Sequence, residues 1–186
     1  STWNVSQITD MSNLFQDKTT FNGDISSWDV SGVISMNSMF RNASSFNQVL
    51  SSWAVSNVTN MAYMFYEASS FDQNLSTWDV SGATNMSYTF YQSSFNGDLS
   101  TWDVSGVTSM AYMFTHASEF NQDLSSWVVS NVIDMRNMFQ NALSFNSDLS
   151  TWNVSGVANM EAMFQNAYSF NQDLSTWIVS NVNNMN

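Results

Sequence analysis

Tryptophan recurs along this chain on a fixed beat, and that beat limits what the chain can fold into. The eight tryptophans stand at 3, 28, 53, 78, 102, 127, 152 and 177, spaced 25, 25, 25, 24, 25, 25 and 25 residues apart. Self-similarity at such a period marks a stacked repeat, in which one coil cannot bury its own apolar face and its neighbours do so for it. A single repeat domain over residues 1–186 follows, with a coil starting near each tryptophan, and the chain reads as a segment of a longer array.

Aligning the coils on tryptophan gives columns. Three residues before it stand Ile25, Leu50, Leu75, Leu99, Leu124, Leu149 and Leu174, and two after it stands valine in every coil, Val5 through Val179. Apolar and polar residues alternate through Trp-x-Val, the period of a strand with one buried face. Seven after it come Asp10, Ser35, Asn60, Asn85, Ser109, Asp134, Asn159 and Asn184, all of the types that cap a helix N-terminus. Methionine follows at once. In the Trp102 coil, Met110, Met113, Phe114 and Ala117 then fall on one face of a short helix, and Phe120 closes the core. The expected fold class is an α/β solenoid, leucine-rich-repeat-like, of about eight coils, with a parallel β-sheet on the concave face and short helices on the convex face.

A longer period runs beneath this one. Asp29, Asp79, Asp103 and Asn153 follow tryptophan in coils that carry Gly32, Gly82, Gly106 and Gly156, whereas Ala54, Val128 and Ile178 follow it in coils that carry Asn57, Asn131 and Asn181. The two types alternate except where the Trp78 and Trp102 coils, both of the Asp/Gly type, adjoin. One residue is missing there between Phe90 and Phe95, Thr89 replaces methionine and Ala83 replaces valine. A tighter return loop and a small packing deficit are expected at this seam.

The run from Asp98 through Trp102, Met110, Phe114, Ala117 and Phe120 to Gln122 resembles the BspA-like leucine-rich-repeat surface proteins. It resembles more closely the 25-residue repeat of mycoplasma-type surface lipoproteins, and the resemblance covers every coil. It implies a cell-surface or secreted protein with adhesion or partner binding as its role, and no catalytic residues. Val107 departs from it, standing where an ordinary leucine-rich repeat has asparagine.

Charge and composition narrow the chemistry. A formal net charge of −12, with Lys18, Arg41 and Arg136 the only cations, argues against nucleic acid and anionic membrane as partners. No apolar run is long enough to span a membrane. There is no cysteine and a single histidine, His116, so neither a zinc site nor a histidine-based triad can be assembled and the chain is not expected to be an enzyme. No cofactor is expected. One alternative stays open: Asp24, Asp98, Asp123, Asp148 and Asp173 form a column, interrupted by Val49 and Asn74, that a Ca²⁺ ion would bridge.

The aromatic columns read as core, with each indole N–H needing a partner such as a backbone carbonyl of the next coil. Asn22, Asn47, Asp72, Asn96, Asn121, Asn146 and Asn171 read as a ladder tying return loops together. The outward side of the Trp-x-Val segment remains for recognition. A column of hydroxyls precedes tryptophan from Thr2 onward, a column of invariant serines closes the segment, and between them lies the position that changes character. The candidate partner-binding face is Thr77, Asp79, Ser81, Thr101, Asp103, Ser105, Ser126, Val128, Ser130, Thr151, Asn153 and Ser155. The expected function is a non-enzymatic, extracellular or cell-surface module for adhesion or for binding a protein or glycan. The structural alternative is head-to-tail stacking into a fibre, and ice binding through the hydroxyl rows or a Ca²⁺-dependent array are the lesser ones.

Overall fold

Each coil of this chain is bonded to the next in one repeated register. The computed structural model describes residues 3–186, so Thr2 lies outside the described residues. Coil 1 covers 3–24, coil 2 25–49, coil 3 50–74, coil 4 75–98, coil 5 99–123, coil 6 124–148, coil 7 149–173 and coil 8 174–186. Parallel bridges run from Asp10 through Ser35, Asn60, Asn85, Ser109, Asp134 and Asn159 to Asn184, one residue per coil. These are the residues expected to cap helices.

Neither a helix nor a multi-residue strand forms among the described residues. The α/β leucine-rich-repeat-like solenoid with its parallel sheet and convex helices is therefore overturned. The reason lies in where the backbone N–H groups go. In coil 5, Met110, Tyr112, Phe114 and His116 donate to the carbonyls of Asp134, Arg136, Met138 and Gln140 in coil 6, at 2.8–3.0 Å. The N–H groups of Met113, Thr115 and Ala117 fold back onto Met110, Tyr112 and Phe114, three residues earlier. A helix would need every one of these donors to reach four residues back. Tyr112 and His116 also have φ of 60° and 59°, in the left-handed region, and the same two places are left-handed in coils 1 to 7. The segment is a run of overlapping tight turns with alternate donors aimed along the stack.

The expected strand fails for a related reason. The outward and inward sides are as the alternation implies: Trp102 and Val104 are buried, Thr101 and Asp103 exposed. Side chains, however, occupy the groups a sheet ladder would use. The Leu99 carbonyl accepts the backbone N–H of Trp102 and the indole Nε1 of Trp127. The Ser100 carbonyl accepts the Ser126 hydroxyl at 2.6 Å, and the Ser105 carbonyl accepts Asn131 Nδ2 at 2.7 Å. An indole N–H reaches the leucine carbonyl of the preceding coil in each of coils 4 to 8, not that of the next coil.

Packing follows the columns. Met110, Met113, Phe114, Ala117 and Phe120 are all fully buried, although the backbone that carries them is not helical. Phenylalanine rings stack from coil to coil, as between Phe114 and Phe139 at 5.7 Å and 4°, and in pairs within a coil, as between Phe114 and Phe120 at 3.9 Å. Tryptophans stack likewise, Trp78 on Trp102 at 6.4 Å and 3°. Each such ring removed from water contributes on the order of 1.5–3 kcal/mol.

At the seam the return loop is indeed tighter. The Ser93 hydroxyl accepts the Phe95 N–H at 3.2 Å, where coil 5 uses a turn from Phe120 back to Ala117. Thr89 sits buried in the methionine column and donates to the carbonyls of Met86 and Met61. Phe95 stays fully buried and stacked on Phe71, but it is not stacked on Phe120 of the next coil, and the ring column that crosses the seam is the one in which Phe90 stacks on Phe114 at 5.7 Å.

Candidate functional site

The candidate face is built on turns closed by side chains. A carboxylate or carboxamide accepts the N–H of the residue two places on, an Asx turn. Asp79 Oδ1 takes the N–H of Ser81 at 3.1 Å and its hydroxyl at 2.6 Å, and Asn153 Oδ1 takes both groups of Ser155 at 3.2 and 2.8 Å. Asp103 Oδ1 takes the Ser105 N–H at 3.0 Å. The serine hydroxyl, and after it the serine N–H, holds the Asp79 and Asp103 carboxyls below the ordinary aspartate value. The charge of Asp103 opposes this slightly at Asp79, because the seam sets these two carboxylates on adjacent coils.

The longer period has a local cause. In coil 6, Asn131 donates across to the Ser105 carbonyl, and Asn57 and Asn181 do the same to Ser31 and Ser155. In the alternate coils that place is glycine, and a Cβ on Gly82 would collide with the Ser56 carbonyl. One coil type satisfies its neighbour's carbonyl with an amide, and the other leaves room for it.

The hydroxyls that precede tryptophan are exposed but engaged. Thr77, Thr101, Ser126 and Thr151 donate to the carbonyls of Ser51, Ser76, Ser100 and Ser125, at 2.6–2.8 Å. The residue after tryptophan carries no bond between coils. Asp79, Asp103, Val128 and Asn153 stand outward there, Val128 with 55% of its surface exposed, and Ser130 is exposed beside it. The structure thus brings the predicted residues onto one face and leaves chiefly the variable column open.

The other carboxylate column is spent locally. Asp24, Asp98, Asp123, Asp148 and Asp173 each accept the N–H of the serine two residues on, at 2.8–2.9 Å. That bond keeps the carboxyls of Asp24, Asp98, Asp123 and Asp173 below the ordinary value. Among the described residues no three His, Cys, Asp or Glu side chains converge to hold a metal ion. The asparagine column forms a continuous ladder, each residue from Asn47 to Asn171 donating its N–H to the side-chain oxygen one coil back, at 2.8–3.1 Å.

Sequence reading passed over a second surface. Tyr63, Tyr88 and Tyr112 occupy the tenth place after tryptophan in coils 3 to 5, and Tyr66 and Tyr91 the thirteenth, which is five of the chain's six tyrosines. Elsewhere these places hold Asn13, Ser38, Asn137 and Ala162, or Gln16, Arg41, Thr115, Gln140 and Gln165. Column composition alone would have shown the concentration. Tyr63, Tyr88 and Tyr112 stack at 4.5 and 4.4 Å, and Tyr66 lies on Tyr91 at 4.5 Å. Arg41 covers Tyr63 and Tyr66 at one end and Arg136 covers Tyr112 at the other. Burial, and less so the Glu67 charge, pushes the Tyr66 phenol up to about 12. Burial also raises Tyr88. His116 meets Tyr91 edge-on at 5.8 Å.

Two overlapping stretches, residues 1–98 and 84–186, match the family model described as Mycoplasma protein of unknown function, DUF285. No curated protein matches the chain, and no solved structure does.

Proposed function

As a member of the Mycoplasma-described DUF285 family, this chain is, we propose, a non-enzymatic extracellular or cell-surface module for adhesion, binding a protein or glycan through the exposed side of its Trp-x-Val segments. Kinship with BspA-like surface proteins belongs to the same proposal. One observation carries it. The column of Asp79, Asp103, Val128 and Asn153 is exposed and changes chemistry from coil to coil, while the hydroxyls before it are held by bonds between coils. A position free of the stacking bonds is free to be shaped by a partner.

Adhesion of beads coated with the chain to host-type cells tests this reading. Beads bearing the folded chain should adhere, and Asp79→Asn with Asp103→Asn, which keeps the turns, should weaken adhesion several-fold. Absence of adhesion by the folded chain would overturn it.

A further inference from the structure

We propose that the tyrosine surface of coils 3 to 5 docks a protein segment that presents a carboxylate to Arg41 and backbone carbonyls to the tyrosine edges. This rests on reading the chain as a partner-binding module and gives that module a second surface.

The stacked tyrosines are not needed to make a coil. Tyr63, Tyr88 and Tyr112 have φ of 60°, 62° and 60°, a conformation that suits the asparagine found there in coils 1 and 6 and costs a bulky side chain roughly 1–2 kcal/mol. Ring stacking offsets part of that cost without giving a reason for tyrosine at the tenth place in coils 3 to 5 and at the thirteenth in coils 3 and 4. Tyrosine and arginine are also the residue types that dominate protein–protein contact energy.

The ring geometry selects the partner. Each ring of the three-tyrosine stack has its faces taken, by the next ring or by a guanidinium. A neutral sugar that seeks an open aromatic face finds none in that stack. The half-buried rings leave a partner their edges, the positive part of the aromatic quadrupole, which favour an acceptor-rich partner, while the Tyr66 phenol faces Glu67. Arg136 is paired with Asp134 at 3.2 Å, but Arg41, half-buried over Tyr63 and Tyr66, forms no ion pair among the described residues. Against the chain's overall negative charge, Arg41 is thus the place where a single carboxylate of a partner meets an unpaired guanidinium beside the tyrosine rows.

The repeat supplies conservative test variants. Arg41→Gln places the residue of coils 1, 6 and 7, and Tyr63, Tyr88 and Tyr112→Asn place that of coils 1 and 6, so both variants should keep the fold. The whole chain is titrated at physiological ionic strength, where long-range charge is screened, with a short glycine peptide carrying one Glu (the Glu–Gly peptide), with its single-Lys counterpart (the Lys–Gly peptide), and with oligogalacturonate, while tyrosine ring signals are followed by NMR. The Glu–Gly peptide should move the Tyr66 and Tyr91 signals, the Lys–Gly peptide should not, and affinity should fall at least tenfold in each variant. Unmoved signals, or undiminished affinity in folded variants, would overturn the proposal. Movement by oligogalacturonate alone would overturn it in favour of an acidic glycan. Adhesion lost in the Asp79/Asp103 variant while tyrosine signals stay still would sink this proposal alone. Peptide binding without adhesion would sink the adhesion reading alone.

Discussion

The indole Nε1 of Trp102 donates to the carbonyl oxygen of Leu75, 3.0 Å away in the coil before. The same oxygen accepts the backbone N–H of Trp78, also at 3.0 Å. Both lone pairs of that buried carbonyl are used, and one donor comes from a side chain. Trp102→Phe should therefore cost about 1–3 kcal/mol, since it leaves a space and an under-satisfied carbonyl in the core. Trp3→Phe, at an exposed position, should stay within about 0.5 kcal/mol. Urea unfolding of the two variants measures the difference.

The asparagine ladder predicts an order of effects at one position. Asn121 Oδ1 accepts the Asn146 N–H at 2.8 Å, so Asn121→Ala should destabilise by about 0.5–1.5 kcal/mol. Asn121→Asp should cost less, because Asp72 already holds its rung by accepting from Asn96 at 3.0 Å. Thermal melts of both variants at neutral pH give the comparison.

The sequence made the columns legible and hid the backbone that carries them. Burial of Met110, Met113, Phe114 and Ala117 follows from their spacing, because that spacing puts side chains on one side of any tightly wound segment. Spacing does not say whether the Phe114 N–H reaches back along its own chain or across to Met138, and it goes across. The N-cap residues were read for the right chemistry in the wrong element: Asn85 Oδ1 accepts the Ser87 N–H at 3.0 Å, as a cap would, but closes a turn. No glycine marks the left-handed positions, which is why Tyr112 and His116 gave no warning. On the candidate face, Asp103 was legible as exposed. Engagement of the Thr101 hydroxyl by Ser76 was not, since it depends on how neighbouring coils register.

Acid should destabilise the chain through its Asx turns. Folding lowers the carboxyl values of Asp79, Asp98, Asp103 and Asp123 below the ordinary 3.8, so the unfolded chain takes up protons first as pH falls. Their stabilisation is present above that ordinary value and is lost as pH falls through the lower, folded ones. Melting temperature should be flat above about pH 5 and decline below it. Asp79→Asn with Asp103→Asn should shallow the decline, because a carboxamide closes the same turn without titrating, as Asn153 does.

Gln92 tests the backbone. Its φ is 51° and its side chain is exposed. Gln92→Gly should leave stability unchanged or raise it, since glycine relieves a left-handed strain of roughly 1–2 kcal/mol. In a helix the same change would cost about 1 kcal/mol. Gln92→Ile should destabilise, and chemical denaturation reads both signs.

The central claim is that alternate backbone donors bond between coils rather than along a helix, and through-hydrogen-bond scalar couplings between amide nitrogen and carbonyl carbon observe this directly. The account predicts that the Phe114 amide correlates with the Met138 carbonyl and the Tyr112 amide with the Arg136 carbonyl, matching bonds of 2.9 Å each. A correlation from Phe114 to the Met110 carbonyl, four residues back in its own coil, would contradict it.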